Sequence, residues 1–161
     1  MTDLIATADL CDAHPDQVQI PELTWLHVGR RASFCGPALT LALFEDNSLV
    51  RQALEQPGQG RVLVVDGGGS MRRALVGDRL AQRAIEHEWA GVVVYGCIRD
   101  RAVIDTLEIG IKCLGTTPRK TEKRGEGRSG VPVTFGGARF ETGHWVYADA
   151  DGVLVAPHAL H

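Results

Sequence analysis

The fold is decided by residues 61–101, which read RVLVVDGGGSMRRALVGDRLAQRAIEHEWAGVVVYGCIRDR. The continuous apolar run at 61–66 predicts a strand buried on both faces, and a second run at 91–95 predicts another. Between them, apolar residues recur at helical spacing over 77–89. Strand, helix and strand together predict a right-handed βαβ unit with parallel strands.

The chain before this unit is expected to add two helices and a strand. Residues 7–14 predict a short helix with Thr7 as its N-cap. Residues 33–44 are rich in apolar side chains and predict a strand interrupted near Gly36-Pro37. Residues 46–56 place their apolar side chains on one face of a predicted helix.

Beyond Cys113 the pattern changes to short apolar segments separated by turn residues. Tight turns and antiparallel pairing are expected there. The segments concerned are residues 131–135, 138–141, 145–148 and 153–156. The whole chain, residues 1–161, is therefore predicted to be a single α/β domain with a central parallel βαβ unit and antiparallel C-terminal strands.

Composition narrows the functional classes. The net charge of −3 gives no global reason to expect nucleic acid or an anionic membrane as a partner. The apolar runs are strand-sized, far short of the roughly 20 residues that a membrane span needs, and the first residues do not resemble a secretory signal. The four cysteines are scattered without a CxxC pair, so we expect reduced thiols and a cytoplasmic location.

The βαβ unit predicts where a site would lie. The helix from Gly77 runs about 18 Å back along the sheet at 1.5 Å per residue. The strand from Gly91 then returns a similar distance, so Gly77-Asp78 and residues 97–100 should meet at one edge of the sheet. Open α/β sheets place ligands at the carboxyl ends of their parallel strands.

The residue types at this edge suit a small carboxylated ligand. Unpaired N–H groups over residues 77–80 and the helix dipole favour an anion. Arg99 offers a planar fork to a carboxylate, and Asp100 offers oxygen ligands to Mg²⁺. A surface ion pair of Arg99 with Asp100 and an ordinary helix start are the alternatives. Arg72, Arg73, Arg79 and Arg101 flank the edge and either attract an anionic substrate or are simply solvated.

Other motifs predict less. Residues 66–70, DGGGS, follow a strand but match neither GxxxxGK[ST] nor GxGxxG, which favours a close backbone turn over a cofactor loop. The sequence contains no HExxH and no GxSxG. The basic segment 119–128, RKTEKRGEGR, is typical of a solvated, mobile loop; the alternative is a docking patch for a protein or RNA partner.

The chain resembles the RraA-like family from Thr7 to about Val155. The resemblance is carried by GRRASFCGPALTL, GRVLVVDGGGSMRRALVGDRLA, GVVVYGCIRDR and VPVTFGG…YADADGV. The family includes regulators of ribonuclease E and class II 4-hydroxy-4-methyl-2-oxoglutarate aldolases, and some members carry a demethylmenaquinone methyltransferase label. The resemblance implies a swivelling β/β/α domain that assembles as a ring-shaped homotrimer, with sites at subunit interfaces.

The same resemblance implies residue roles. The segment matching Gly77, Asp78, Arg79 and Leu80 would hold the substrate through its backbone. Arg99 would bind the carboxylate and keto region of pyruvate, and Asp100 would ligate a divalent metal, Mg²⁺ or Mn²⁺. Because the Arg-Asp pair is present, we expect an aldolase with oxaloacetate decarboxylase side activity; the alternative is a non-catalytic protein that binds and inhibits ribonuclease E. Asp78 is our candidate for orienting a water that accepts the substrate proton, while the general base itself stays open.

Overall fold

The two apolar runs of the deciding stretch form neighbouring parallel strands in the computed structural model, which describes residues 5–161. The helices are α1 (Thr7–Ala13), α2 (Ser48–Leu54), α3 (Asp78–Glu86) and α4 (Arg101–Ile104). The strands of the first half are β1 (Leu26–Val28), β2 (Phe34–Ala42), β3 (Val62–Asp66), β4 (Ala74–Val76), β5 (Gly91–Tyr95) and β6 (Cys97–Ile98). Those of the second half are β7 (Ile111–Cys113), β8 (Gly115–Thr116), β9 (Arg128–Ser129), β10 (Val133–Phe135), β11 (Ala138–Phe140), β12 (Trp145–Asp149) and β13 (Gly152–Ala156).

The main sheet has the order β1-β7-β5-β3-β2-β12-β13, with β9 added on β2. Its centre, from β7 to β2, is parallel, and its two ends are antiparallel. Both faces are covered, which is why the strands read as continuous apolar runs. Leu63 and Val65 pack towards the helices, whereas Val62 and Val64 pack towards the β10–β11 hairpin. The predicted mixed α/β fold, with its parallel βαβ unit and antiparallel C-terminal strands, is confirmed.

The strand over residues 34–42 corrects the predicted break at Gly36-Pro37. It is continuous, but it changes partner at that point: Phe34 to Pro37 lie opposite β12, and Ala38 to Ala42 lie opposite β3. Gly36 passes so close to the backbone carbonyl of Gly60 that a side chain would overlap it. The break in the apolar pattern therefore marks a change of neighbour within one unbroken strand.

Helix α1 is confirmed, but Thr7 is not its N-cap. The N-cap is Ala6, and Thr7 is the first helical residue. Its hydroxyl and its backbone N–H both donate to the carboxylate of Asp149, each at 2.7 Å. The hydroxyl of Thr7, which the local sequence predicted would cap the helix, thus bonds instead to Asp149, 142 residues further along the chain.

A second, small parallel sheet positions the site, and the sequence did not predict it. After each of the adjacent strands β3, β5 and β7, the chain forms one more short strand, and these pair in the order β4-β6-β8. Strand β4 occupies part of the loop expected after residue 66, and α3 begins directly beyond it. Within residues 5–161 no helix combines the length and apolar character needed to cross a bilayer.

Candidate active site

The small sheet brings the two predicted halves of the site together. Gly77 follows the last residue of β4, and Arg99 follows the last residue of β6, which pairs with it in parallel. The backbone N–H of Arg99 donates to the carbonyl of Val76 at 2.9 Å. The predicted meeting of Gly77-Asp78 with residues 97–100 is confirmed, with the edge formed by β4 and β6 beyond the main sheet.

Asp100 closes the start of α3. Its Oδ2 accepts a hydrogen bond from the backbone N–H of Asp78 at 3.1 Å. Gly77, the N-cap of α3, has no side chain to do this, and a Cβ there would lie 2.8 Å from that same oxygen. The helix start therefore attracts a carboxylate, as its N–H groups predict, but the carboxylate is the protein's own.

The backbone of Asp100 is strained into the left-handed region, with φ 61° and ψ 35°. Non-glycine residues rarely adopt this conformation, and such strain concentrates at functional sites. The strained turn lets the carboxylate reach back to α3 while α4 begins at the next residue. Its second oxygen, Oδ1, accepts no hydrogen bond from residues 5–161, which leaves it available to a ligand.

Arg99 is half-buried and unpaired. Its Nη1 lies 3.5 Å from the carbonyl oxygen of Pro118, and among the described residues it forms no ion pair. Asp100 forms none either, so the alternative of a surface ion pair between these two neighbours is wrong. The guanidinium keeps most of its donors for another molecule.

All the residues predicted for the site line one cavity of about 730 Å³. They are Gly77, Asp78, Arg79, Leu80, Arg99 and Asp100. Of the other flanking arginines, Arg72 pairs with Glu45 at 2.6 Å and Arg101 lies 3.8 Å from Asp105, and neither lines this cavity. These two belong to the solvated alternative.

The cavity is rich in positive charge although the chain carries a net −3. Its cationic side chains are Arg51, Arg79, Arg83, Arg99, Lys120 and Lys123, and its carboxylates are Glu55, Asp78 and Asp100. Arg51 pairs with Glu55, the C-cap of α2, at 3.1 Å, and Arg83 pairs with Glu86 at 3.1 Å, which leaves Arg79, Arg99, Lys120 and Lys123 against Asp78 and Asp100. The surplus favours an anionic ligand, since like-signed charges lining a cleft focus the field within it.

The donor set fits a cation held mainly by water and ligand oxygens. Residues 5–161 contain no cluster of three or more His, Cys, Asp or Glu side chains that could enclose a metal ion. Asp100 offers one carboxylate with a free oxygen, and Asp78 offers a second whose Oδ1 accepts the N–H of Arg79 at 2.9 Å. One or two carboxylates completed by waters and substrate oxygens suit Mg²⁺.

A family model described as RraA-like, Aldolase/RraA, matches residues 7–155. The chain belongs to the RraA-like family. A relative from Aromatoleum aromaticum, provisionally named a 4-hydroxy-4-methyl-2-oxoglutarate aldolase, is 56% identical over 96% of this chain and 97% of its own length. The family assignment made from the sequence is thus confirmed.

Two solved structures share the RraA-like fold closely. One, from Geobacillus kaustophilus HTA426, is described as an S-adenosylmethionine: 2-dimethylmenaquinone methyltransferase; it is 52% identical, with a TM-score of 0.94 over 97% of both chains. The other is the RNA-processing inhibitor RraA from a Thermus species, 43% identical, with a TM-score of 0.94 over 98% of this chain and 96% of that one.

The basic segment 119–128 of this RraA-like chain is exposed except at Thr121, as expected of a solvated loop, but its backbone is hydrogen-bonded to the rest of the fold, which a mobile loop would not be. Asp46, 2% exposed, accepts the backbone N–H groups of Arg124 and Glu126 at 2.8 and 3.1 Å. Burial alone would raise the pKa of Asp46, but these bonds and two from Ser48 outweigh it and lower the pKa to about 2. The segment ends in β9, paired to β2.

Sequence reasoning missed the cavity wall made by this segment and α2. The missed residues are Asn47, Arg51, Lys120, Thr121 and Lys123. They lie far in sequence from residues 77–100 and carry no spacing motif, so only tertiary packing brings them to the cavity.

The DGGGS segment, residues 66–70, is the close backbone turn that the sequence favoured. The N–H groups of Gly67 and Gly69 both donate to the carbonyl of Tyr95, at 3.0 and 3.2 Å.

Proposed function

We propose that this RraA-like chain is a divalent-metal-dependent class II aldolase. Its substrate would be 4-hydroxy-4-methyl-2-oxoglutarate or a similar 4-carboxy-4-hydroxy-2-oxo acid, cleaved to pyruvate and a second oxo acid, with oxaloacetate decarboxylase side activity. The observation that carries the proposal is the placement of Arg99, unpaired, beside Asp100, whose carboxylate is fixed across Gly77, in one cation-rich cavity. The aldolase name of the relative that is 56% identical supports the same activity.

In this reaction the bond between C3 and C4 breaks, its electron pair forms the enolate of pyruvate, and the C4 hydroxyl gives up its proton. Arg99 would donate to the C1 carboxylate and the C2 oxygen, where negative charge develops. The backbone N–H of Leu80 has no partner among residues 5–161 and would add a second fixed donor. Protonation of the enolate at C3 then gives pyruvate.

Asp100 is the residue that would hold the metal through its free oxygen. A bound Mg²⁺ or Mn²⁺ would supply Lewis-acid stabilisation of the enolate. Asp78, whose carboxylate also lines the cavity, would orient the water that accepts the C4 hydroxyl proton. Loss of CO₂ from oxaloacetate passes through the same enolate, which is why we expect decarboxylation as a companion activity.

The proposed assembly is a ring-shaped homotrimer with the cavity at an interface between copies. Asp100 and Lys120 are exposed in the single chain, which leaves room for a residue from a second copy. The four cysteines are free thiols, which fits the cytoplasmic location that we also propose. Sedimentation would test the assembly.

The second candidate is a non-catalytic regulator that binds and inhibits ribonuclease E. It is favoured by the likeness to an RNA-processing inhibitor that is 43% identical. Its surface would include the basic segment 119–128, which the fold holds in place. Such a protein would have no need of an unpaired arginine beside a strained aspartate, and for that reason we prefer the enzyme.

Pyruvate release tests the proposal directly. The protein is given oxaloacetate or 4-hydroxy-4-methyl-2-oxoglutarate with Mg²⁺ or Mn²⁺, and then with EDTA. Release that chelation abolishes and added metal restores is expected. No release with either metal would contradict the aldolase and favour the regulator, and binding of S-adenosylmethionine would instead support the methyltransferase description of the 52% identical structure.

A further inference from the structure

One wall of the cavity consists of the first part of the basic segment. Lys120 and Lys123 both line the cavity that contains Arg99 and Asp100. Lys120 pairs with Ala74 of β4 in a parallel bridge, and its carbonyl accepts a hydrogen bond from Nη1 of Arg73 at 3.1 Å. The backbone that carries these lysines is thus an extension of the small sheet that carries the site.

A buried polar pair holds this wall in position. The hydroxyl of Thr121 donates to Oδ1 of Asn47 at 2.7 Å, and Nδ2 of Asn47 donates to the carbonyl of Leu75 at 3.1 Å. Thr121 is 3% exposed and Asn47 is 8% exposed. Buried hydrogen bonds of this kind fix a backbone, because breaking them leaves polar atoms without water.

The charged side chains of the segment line two different cavities. Glu122 pairs with Arg124 at 3.1 Å and lies 3.8 Å from Arg73, and these three residues line a different cavity from the one that Lys120 and Lys123 line. Lys120 and Lys123 form no ion pair with any residue in the described part of the chain. The wall therefore presents the ammonium groups of Lys120 and Lys123 to the cavity, and no carboxylate of the described residues forms an ion pair with either of them.

We propose that Lys120 and Lys123 are specificity-determining residues that bind the second carboxylate of a dianionic 2-oxo acid. The inference rests on the proposed function, in which Arg99 takes the first carboxylate and Asp100 the metal. A lysine is a mobile point charge, suited to an anionic group whose position varies with chain length, whereas the fork of Arg99 suits the fixed pyruvate end. The site would then favour dicarboxylates over monocarboxylates.

Two unreactive probes of equal chain length test this selectivity. 2-Oxoglutarate carries a distal carboxylate and 2-oxopentanoate carries a methyl group there, and neither has the C4 hydroxyl needed for cleavage. Calorimetry with Mg²⁺ compares the wild-type protein, the variants Lys120→Gln and Lys123→Gln, and the double variant. Arg124→Gln is the matched control, since it removes a cation of the same segment that lines the other cavity.

The wild-type protein should bind 2-oxoglutarate more tightly than 2-oxopentanoate by on the order of tenfold or more. The double variant should lose that preference while its affinity for 2-oxopentanoate stays within about twofold, and Arg124→Gln should keep the preference. A wild-type protein without the preference, or a double variant that retains it, would overturn the subsite. Measuring pyruvate release from the aldolase substrate distinguishes a failure of this inference from a failure of the proposed function. If the protein releases pyruvate but the double variant keeps the preference for 2-oxoglutarate, only the role of the lysines is refuted. If the preference depends on the lysines but no pyruvate is released, only the aldolase activity is refuted.

Discussion

The carboxylate of Asp100 and the backbone N–H of Asp78 are joined by a hydrogen bond of 3.1 Å. This bond ties the end of β6 to the start of α3 across Gly77, and it fixes one oxygen of the carboxylate while the other stays free. If Asp100 binds the metal as proposed, a carboxylate held in this way loses little freedom when a cation arrives. The position of the carboxylate thus depends on a residue that has no side chain.

Gly77→Ala should therefore impair the site without contacting substrate. Its Cβ would lie 2.8 Å from Oδ2 of Asp100, so the carboxylate must move. We expect the metal concentration for half-maximal pyruvate release to rise by about 10- to 100-fold, the range for disturbing a group that orients a metal ligand. In an Asp100→Asn background the same substitution should add little; two fully additive losses would contradict this coupling.

Arg99→Ala should lower kcat for pyruvate release by about 10²- to 10³-fold, the scale of losing one fixed donor to a developing negative charge. Arg99→Lys should recover only part of this loss, because an ammonium lacks the planar fork. Arg101→Ala is the control: Arg101 is close in sequence but lies near Asp105 and outside the cavity. Equal losses in the Arg99 and Arg101 variants would remove the basis for the assigned role.

The sequence predicted those parts of the fold that rest on long, continuous patterns. The continuous apolar runs at residues 61–66 and 91–95 predict strands of a parallel sheet. The helix between them is about as long as the second strand, and these matching lengths place Gly77 beside Arg99. Strand β4 is three residues long, too short for a periodicity to show. The change of partner in β2 and the position of Thr7 depend on contacts remote in sequence, which no local pattern records.

The candidate site was predicted where one βαβ unit supplies both halves and missed where a distant segment supplies the wall. The charge composition of residues 119–128 would be the same in a mobile loop and in a solvated loop whose backbone is hydrogen-bonded to the fold. What separates them is Asp46, whose carboxylate accepts backbone N–H groups from that segment. A single acidic residue in a turn gives no sign of a partner that lies 78 residues further along the chain.

Thr121→Val should destabilise the protein, whereas Thr121→Ser should not. Valine keeps the shape but removes the hydroxyl, which leaves Oδ1 of Asn47 buried without a donor. The expected cost in the free energy of unfolding is about 1–3 kcal/mol by urea titration. Serine retains the donor and should recover most of it, so a Ser variant as unstable as the Val variant would argue that the methyl group matters instead.

The ionised carboxylate of Asp46 should stabilise the folded protein at neutral pH, and this contribution to the free energy of unfolding should be lost in acid. Its pKa is lowered from 3.8 to about 2, so the unfolded chain takes up the proton first and stability is lost as pH falls from about 4 towards 2. The stabilisation involved is about 2 kcal/mol. Asp46→Asn should be less stable than wild type at pH 7, and the two unfolding curves should converge near pH 2. A constant gap between them across this range would contradict the assignment.

His27 and Lys112, neither of which lines the cavity, form a second group whose charge affects the dependence of stability on pH. They lie opposite each other in the antiparallel pair of β1 and β7, and Lys112 is 2% exposed. Nε2 of His27 lies 3.1 Å from the carbonyl of Gly29, while its Nδ1 is buried and has no partner among residues 5–161. Burial, and then the neighbouring ammonium of Lys112, lower the pKa of His27 below 6.5.

The folded protein should therefore lose stability as pH falls below about 6.5, because His27 of the unfolded chain takes up a proton there, whereas the half-buried ring of folded His27 resists it. His27→Gln should flatten the pH dependence of the free energy of unfolding relative to wild type. Lys112→Met should raise the pKa of His27, measured by NMR titration of its ring, but not to 6.5, since the ring stays half-buried and partly desolvated. A pKa that Lys112→Met leaves unchanged would show that the ammonium does not act on the imidazole, and burial alone would then have to account for the shift.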